Sequence, residues 1–432
     1  MRVGISDVLS KEKKKVLSNF SYLSLLQLFN YAVPVLLIPY FISVLGAEKY
    51  GVIIFSQITV FYFGLVLNYG LSLYSVNPIV EAKEDQFKLS EIFSCVFFIR
   101  LFLMIALIPC FELLFVLFDK YNDEYILHHI TYLTLIEQVL FPFWFFQAKQ
   151  KMKYITLAYG TGKFLTAILM FLLIKQTEDY VKVPMIYLIS GLTSGLISFY
   201  ILYSKFEVKL IIPNLESIIK PLKESFSLSV VHITNNFNRN SVSLVLGSML
   251  TPDFLSVYSV SEKVVRSAQS LLQPLTQSIF PYIANKLTRG RTSAIIEINS
   301  FTKIYLIALV FISGIIFLSS DFISKVLIDD GTIIDAISYN IKIMSLALPF
   351  CELYSFLGIV GLINLGYKHH MMKINLSIAI ISTSITYYLC MIFGVNSGSL
   401  SFLISEILAF ILTVTLYFYI SRKYLNIELV KK

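Results

Sequence analysis

Glu262, Arg266, Gln269, Gln273 and Gln277 follow one another at intervals of four, three, four and four residues. Positions three or four apart share a helix face, so these five form one polar stripe. It sets a carboxylate and a guanidinium one turn apart, with Lys263 beside them, and continues in three amides. A guanidinium can fork across two phosphate oxygens, and amides can hydrogen-bond hydroxyl groups. The surrounding stretch, Tyr258 to Ile283, is otherwise largely apolar and long enough to cross a bilayer. A Glu262–Arg266 ion pair would neutralise the charges, but it leaves three glutamines on the same face without a purpose. A water-filled cavity accounts for all five.

Comparable groups recur along the chain. His232, Asn235, Asn236, Arg239 and Ser243 form a second polar stripe just before the first. Lys163 lies with Thr156, Tyr159, Gly160 and Thr166; it is read either as a cavity cation or as the partner of an acid such as Glu137. The local GTGK at 160–163 is not a phosphate loop, because Leu157 stands in the slot of the first glycine and Phe164 in that of the Ser/Thr. Ser24, Gln27, Asn30, Tyr31 and Pro34 make a further polar face, with a kink expected at the proline. Arg100 is read as a substrate contact, with pairing to a neighbour or snorkelling as the alternatives; Lys303 and Lys342 are expected to snorkel. Glu137, Glu262, Glu352 and Glu406 could pair with these cations, or carry a coupling proton or bind sodium. An ionisable group facing lipid costs between about 2.5 and more than 10 kcal/mol, so all of these are expected to face inward.

The elements that must hold such groups follow from composition. Of 432 residues, 56% are hydrophobic and 14% charged, with mean hydropathy +0.75 and net charge +8. Soluble proteins carry roughly 25% charge, so the chain reads as an integral membrane protein. Twelve segments reach spanning length: 19–45, 50–76, 91–118, 126–147, 154–174, 184–204, 225–249, 254–283, 298–320, 336–364, 374–394 and 399–420. With these spans, one side of the membrane collects nearly all the basic residues near span ends, among them Lys11, Lys13–Lys15, Lys149–Lys153, Lys205–Lys223 and Lys286–Arg291. The other side holds Lys49, Lys120, Lys175, Lys182 and Lys325. Basic residues stay inside, so both termini are expected in the cytoplasm. Omitting the seventh or eighth span would scramble the sorting.

The expected organisation is a cytoplasmic segment 1–18, an N-terminal half 19–204, a linker 205–224 with a surface-lying helix from Asn214, a C-terminal half 225–420 and a tail 421–432. VLGAEKYGVIIFSQ (44–57) and SMLTPDFLSVYSVSEK (248–263) occupy corresponding places in the two halves, a faint internal repeat. The run from Phe20 to Leu45 is too long for a signal peptide core of about 7–15 residues. Cys95, Cys110, Cys351 and Cys390 sit in apolar runs without a CxxC pair, which argues against disulfides and zinc. No metal-ligand cluster, nucleophile elbow or nucleic-acid-binding pattern is present, so neither an enzyme nor a nucleic-acid binder is expected.

LLIPYFISVLGAEKYGVIIFSQ (36–57), FPFWFFQAKQKMKYIT (141–156), VYSVSEKVVR (257–266) and IFPYI (279–283) are similar to the Wzx-type polysaccharide flippases. These are the polysaccharide biosynthesis protein branch of the multidrug/oligosaccharidyl-lipid/polysaccharide (MOP) exporter superfamily. The resemblance spans essentially the whole chain and departs at NNFNRN (235–240) and Ser256. It implies an all-α polytopic protein of twelve transmembrane helices in two six-helix lobes around a central cavity. The implied substrate is an oligosaccharide repeat unit on undecaprenyl pyrophosphate, moved across the bacterial inner membrane for O-antigen or other surface polysaccharide. Polymerase and chain-length regulator are the implied partners. No cofactor is implied beyond a proton or sodium gradient. Arg266, Arg239 and Lys163 are then expected to meet the pyrophosphate, with Lys263 and Arg100 near them, and Gln27, Asn30, Asn235, Gln269 and Gln273 to line the sugar path. A drug or cation antiporter of the same superfamily, and a membrane polymerase or scaffold, are the other readings.

Overall fold

The computed structural model describes the backbone of residues 5–287, 290–328 and 331–429, and side chains from 34 to 424 apart from scattered helix positions. All its regular structure is helical, with no strand among the described residues. That is what a bilayer selects, because each N–H and C=O must find a partner within its own segment.

The first helix, α1 (Ile5–Asn68), continues through Pro34 and turns at Gly46, its one non-helical residue, with φ 77 and ψ 163. A side chain disfavours this backbone, so Gly46, and not the proline, separates the first two expected spans. Tyr69 (φ 45) and Gly70 (φ 68) interrupt the chain again before α2 (Leu71–Tyr74) and α3 (Val76–Ala82). At Gly70 a Cβ would stand 2.6 Å from the Ser229 nitrogen, so the bare backbone is required there.

Asp85 starts α4 (Gln86–Ala106) by accepting the Lys88 N–H at 3.1 Å, and α5 (Ile108–Leu117) follows. The expected fourth span is three short helices, α6 (Tyr125–Leu133), α7 (Ile136–Leu140) and α8 (Phe143–Ala148). Pro142 causes the second break. It has no N–H to donate and drives Phe141 into extended backbone, φ −94 and ψ 104.

Small residues bring α7, α9 (Met152–Leu173) and α10 (Lys182–Phe206) together. A Cβ at Gly162 of α9 would lie 2.0 Å from Ser194 Oγ; Cβ atoms at Gly191 and Gly195 would meet Glu137 and Leu140 of α7 at 2.9 and 2.5 Å. Ser190, Ser194 and Ser198 continue the same spacing of four, the pattern that lets membrane helices approach closely.

The segment after α10 is pinned to α4, the Lys209 and Ile211 N–H groups donating to Ser90 and Ser94. Asn214 then accepts the Ser217 N–H at 2.8 Å and starts α11 (Leu215–Met249), which runs through Pro221 without interruption. Asn214–Glu224 is thus the first part of a long helix rather than a separate element. The chain continues as α12 (Pro252–Leu287), α13 (Arg291–Leu327), α14 (Gly331–Phe356) with a wider-wound extension at Leu357–Ile363, α15 (Lys368–Phe393) and α16 (Ser397–Leu429).

Two compact units result. One comprises residues 1–37 and 56–233; the other comprises 38–55 and 234–432. Within the second, α13 displays the solvent it was made for. Ile304, Ile307, Phe311, Ile315, Leu318 and Phe322 form an exposed stripe, with Leu318 at 81%. Tyr305, Leu309, Ser313, Ile316, Ser320 and Ser324 form the buried one. The outer face is the more apolar, the reverse of a soluble helix.

Eight helices among the described residues are long and apolar enough to cross a membrane. The chain is an integral membrane protein. Of the twelve expected segments, the fourth is absent from these eight because it is broken, and the seventh and eighth because α11 and α12 are polar. The first falls largely where side chains are not described.

Candidate substrate and ion-coupling sites

In the first unit the small-residue contacts seat Glu137 against Gly191 and within electrostatic reach of Lys163 on α9. Lys163 Nζ stands 4.9 Å from the centre of the Tyr159 ring, one turn back on the same helix, and Tyr187 of α10 adds a further hydroxyl nearby. Glu137 and Lys163, both among the described residues and 26 positions apart in the chain, are thus brought within electrostatic reach of each other without an ion pair. Both sequence readings of Lys163, cavity cation and partner of an acid, stay open.

Arg100 is buried, 4% exposed, and touches oxygens of three residues. Nη1 donates to the Gln138 carbonyl at 2.7 Å, and Nη2 donates to Ser72 Oγ at 2.7 Å and to Asn68 Oδ1 at 3.4 Å. No carboxylate pairs with it among the described residues, and its Nε has no partner. The same unit has a cavity of about 690 Å³ between α2, α3, α4 and the start of α11, lined by Tyr74, Glu81, Glu91, Lys220 and Glu224. Ser217 donates to Glu91 across it at 2.6 Å. These acids come from three separate segments, and their spacing in the chain gives no hint of the assembly.

In the second unit Arg266 Nε donates to Glu262 Oε1 at 2.8 Å, and the guanidinium lies 5.3 Å from the Phe402 ring centre. Glu262 also accepts from Ser243 Oγ at 3.1 Å. The one-turn ion pair that the sequence allowed is present. Glu406 lies within electrostatic reach of Arg266 and beside Cys351; the neighbouring Glu352 accepts from Tyr305 Oη at 2.8 Å. Three carboxylates on three helices thus gather around one described cation. Gln269, a turn beyond Arg266, is buried, and its Nε2 has no partner.

Lys263 turns elsewhere. Its Nζ donates to Tyr50 Oη at 2.8 Å and lies 5.2 Å from that ring's centre. Tyr50 follows the Gly46 turn, and Gly51 sits so close to α12 that a Cβ would stand 1.7 Å from the Pro252 carbonyl oxygen. Lys342, expected to snorkel, pairs with Asp321 at 2.8 Å. The side chains of Gln27, Asn30, Asn235, Arg239 and Gln273 lie outside the described residues.

The sequence offered no signal for Tyr305 or Cys351, whose partners lie on other helices. It did offer one for the Glu137 seat, in the repeated small residues from Ser190 to Ser198.

Residues 16–286 match the family model described as "Polysaccharide biosynthesis protein". A protein of Escherichia coli (strain K12) named "Putative O-antigen transporter" is 25% identical over 402 residues, covering 93% of this chain and 96% of that one. One of the same name from Shigella dysenteriae is 29% identical over 264 residues, 59% of this chain and 64% of the relative. Among solved structures, an inward-facing multidrug resistance transporter of the MATE family, in the MOP superfamily, aligns with TM-score 0.77 at 13% identity. The alignment covers 93% of this chain and 96% of that one. The lipid II flippase MurJ in an inward closed conformation aligns with TM-score 0.68 at 15% identity, covering 96% and 92%. At these identities the structural likeness is one of fold.

Proposed function

Because this chain belongs to the polysaccharide biosynthesis protein family, we propose that it is a flippase. It carries an undecaprenyl-pyrophosphate-linked oligosaccharide repeat unit from the cytoplasmic to the periplasmic leaflet of the bacterial inner membrane. Twelve helices in two six-helix lobes, both termini cytoplasmic, alternately open a central cavity to each face. The product feeds O-antigen or another surface polysaccharide, handed on to a polymerase and its chain-length regulator. The names of the two relatives support the cargo class.

The observation that carries the reading is the polar face of α12, where the Glu262–Arg266 pair is followed by the buried Gln269, whose Nε2 has no partner. A pyrophosphate needs a cation, and the attached sugar needs donors and acceptors. The lipid tail stays in the bilayer, so only the head crosses. Arg266 is neutralised at rest. An arriving pyrophosphate that displaces the Glu262 carboxylate lets the guanidinium fork across phosphate oxygens. Return of Glu262 to Arg266 restores the pair and expels the anion. Arg239, Lys163, Gln273, Asn235, Gln27 and Asn30 complete the path in this proposal, and Glu137, Glu352 and Glu406 are the other groups placed to exchange a proton or sodium.

The test is complementation of a flippase-null strain, with surface polysaccharide and accumulated lipid-linked repeat units as the readout. Arg266→Ala inserts normally and lowers surface polysaccharide by about tenfold or more, the effect of losing one charge-assisted contact of about 1.5–3 kcal/mol. Glu262→Gln, which removes the competing charge, retains repeat-unit binding and slows its release. Normal polysaccharide from well-expressed R266A would sink the role given to Arg266.

One observation favours a second reading. Glu262, Glu352 and Glu406 outnumber Arg266, the balance an organic cation would prefer. A drug antiporter predicts raised resistance to cationic dyes and no rescue of polysaccharide, and the same strain distinguishes the two.

A further inference from the structure

Arg100 holds its charge against neutral oxygens, and each of them lies at a helix interruption. In an unbroken helix the Gln138 carbonyl would accept the N–H of the residue four positions on. That residue is Pro142, which has no N–H. Arg100 Nη1 supplies the missing donor at 2.7 Å. Nη2 reaches Asn68, the last residue of α1, and Ser72 in α2, on opposite sides of the left-handed Tyr69–Gly70 turn. One guanidinium thereby satisfies the backbone carbonyl that Pro142 would leave bare in a medium without water, and ties together side chains on either side of the second break.

The clamped element is α7, five residues long and carrying Glu137 directly before Gln138. So short a helix has almost no stability of its own. The Gln138 side chain also rests against Gly64 of α1, where a Cβ would stand 2.6 Å from Nε2. The geometry points to Arg100 as a positioning residue: it fixes α7 so that Glu137 stays seated against Gly191 and within electrostatic reach of Lys163, and does not itself contact the substrate phosphate. This inference rests on the transport reading only for its polysaccharide readout.

The test is a double-mutant cycle in the full-length, detergent-purified protein. Glu137→Gln and Lys163→Gln are combined in the wild-type background and in Arg100→Gln, with thermal midpoints as the readout. In the wild-type background the two losses are non-additive, because the two charges lie within electrostatic reach of each other. In R100Q they become additive, since Glu137 no longer faces Lys163. A defect confined to general stability would lower every midpoint and leave the coupling intact; undiminished coupling in R100Q therefore overturns the proposal. If R100Q does not accumulate, Arg100→Lys, which keeps the charge and loses the fork, serves as the background.

A second arm uses Pro142→Ala, which restores an N–H at the position that left Gln138 bare. R100Q alone lowers surface polysaccharide by about tenfold or more, as misplacement of a site group does, and R100Q/P142A recovers a substantial part. Recovery absent in the double variant, with P142A alone active, would mean that Arg100 acts on the substrate. Should the wild-type chain itself fail to rescue the null strain, the transport reading falls, while the thermal cycle still decides the role of Arg100.

Discussion

A charge is retained at membrane depth when its neighbours absorb it, and Arg266, Lys163 and Arg100 do this in three ways. Arg266 takes a carboxylate one turn away, Lys163 a ring on its own helix with a carboxylate of another within electrostatic reach, and Arg100 only neutral oxygens. Lys263 takes the hydroxyl and the ring of Tyr50. Tyr50→Phe keeps the ring and removes the hydroxyl, so it isolates the hydrogen bond. Its loss should cost about 1 kcal/mol, within the range for hydrogen bonds between membrane helices. A thermal midpoint lowered in Y50F, and lowered no further in Y50F/Lys263→Met than in K263M alone, checks it. Partners on the same helix, such as Glu262 for Arg266, were legible from spacing. The Tyr305–Glu352 bond joins residues 47 apart on different helices, and no periodicity within one helix contains that information. The Arg100 contact lies between these cases: Pro142 announces a bare carbonyl at Gln138, but not which donor will reach it.

Helices of this chain are set by two features of different visibility. Long apolar runs are plain in the sequence, and most of the expected spans correspond to continuous helices. Close approach is less plain, because it is written in residues that lack a side chain. Gly51 and Gly314 make the contrast testable. A Cβ at Gly51 would lie 1.7 Å from the Pro252 carbonyl oxygen, a backbone atom with no easy retreat, whereas nothing lies within 4 Å at Gly314 of α13. Gly51→Ala should therefore destabilise by about 1–3 kcal/mol, as overpacking does. Gly314→Ala should stabilise by about 0.5–1 kcal/mol, by restricting the unfolded chain in a helix interior. Opposite shifts in thermal midpoint under one detergent condition are the expected result, and equal shifts would contradict the packing described for Gly51. The broken fourth span, by contrast, carried its own sign in Pro142; what composition could not convey is that the fragments stay folded because α10 and Arg100 hold them.

At the scale of the molecule, the family was legible from motifs spread over the whole chain, while the path through the membrane depends on the two helices that look least suited to it. The polar faces of α11 and α12 place both outside the eight clearly apolar helices. Basic residues favour two crossings. If either helix failed to cross, Lys286 and Arg291 and every later loop would exchange sides, and the cluster Lys368 and Lys373 would face outward against the preference that sets topology. In the topology we propose, two crossings put the Thr251 turn outside and Lys286 inside. Replacement of Cys95, Cys110, Cys351 and Cys390 gives a background in which single cysteines at these two positions can be labelled. A membrane-impermeant maleimide should reach Thr251→Cys in intact spheroplasts, and Lys286→Cys only after permeabilisation. The reversed pattern, with Lys286→Cys reached from outside and Thr251→Cys only after permeabilisation, would remove α11 from the membrane. Labelling of both from the same side would remove α12. It would also leave the Glu262–Arg266–Gln269 face with no bilayer to shield it and no head group to pass.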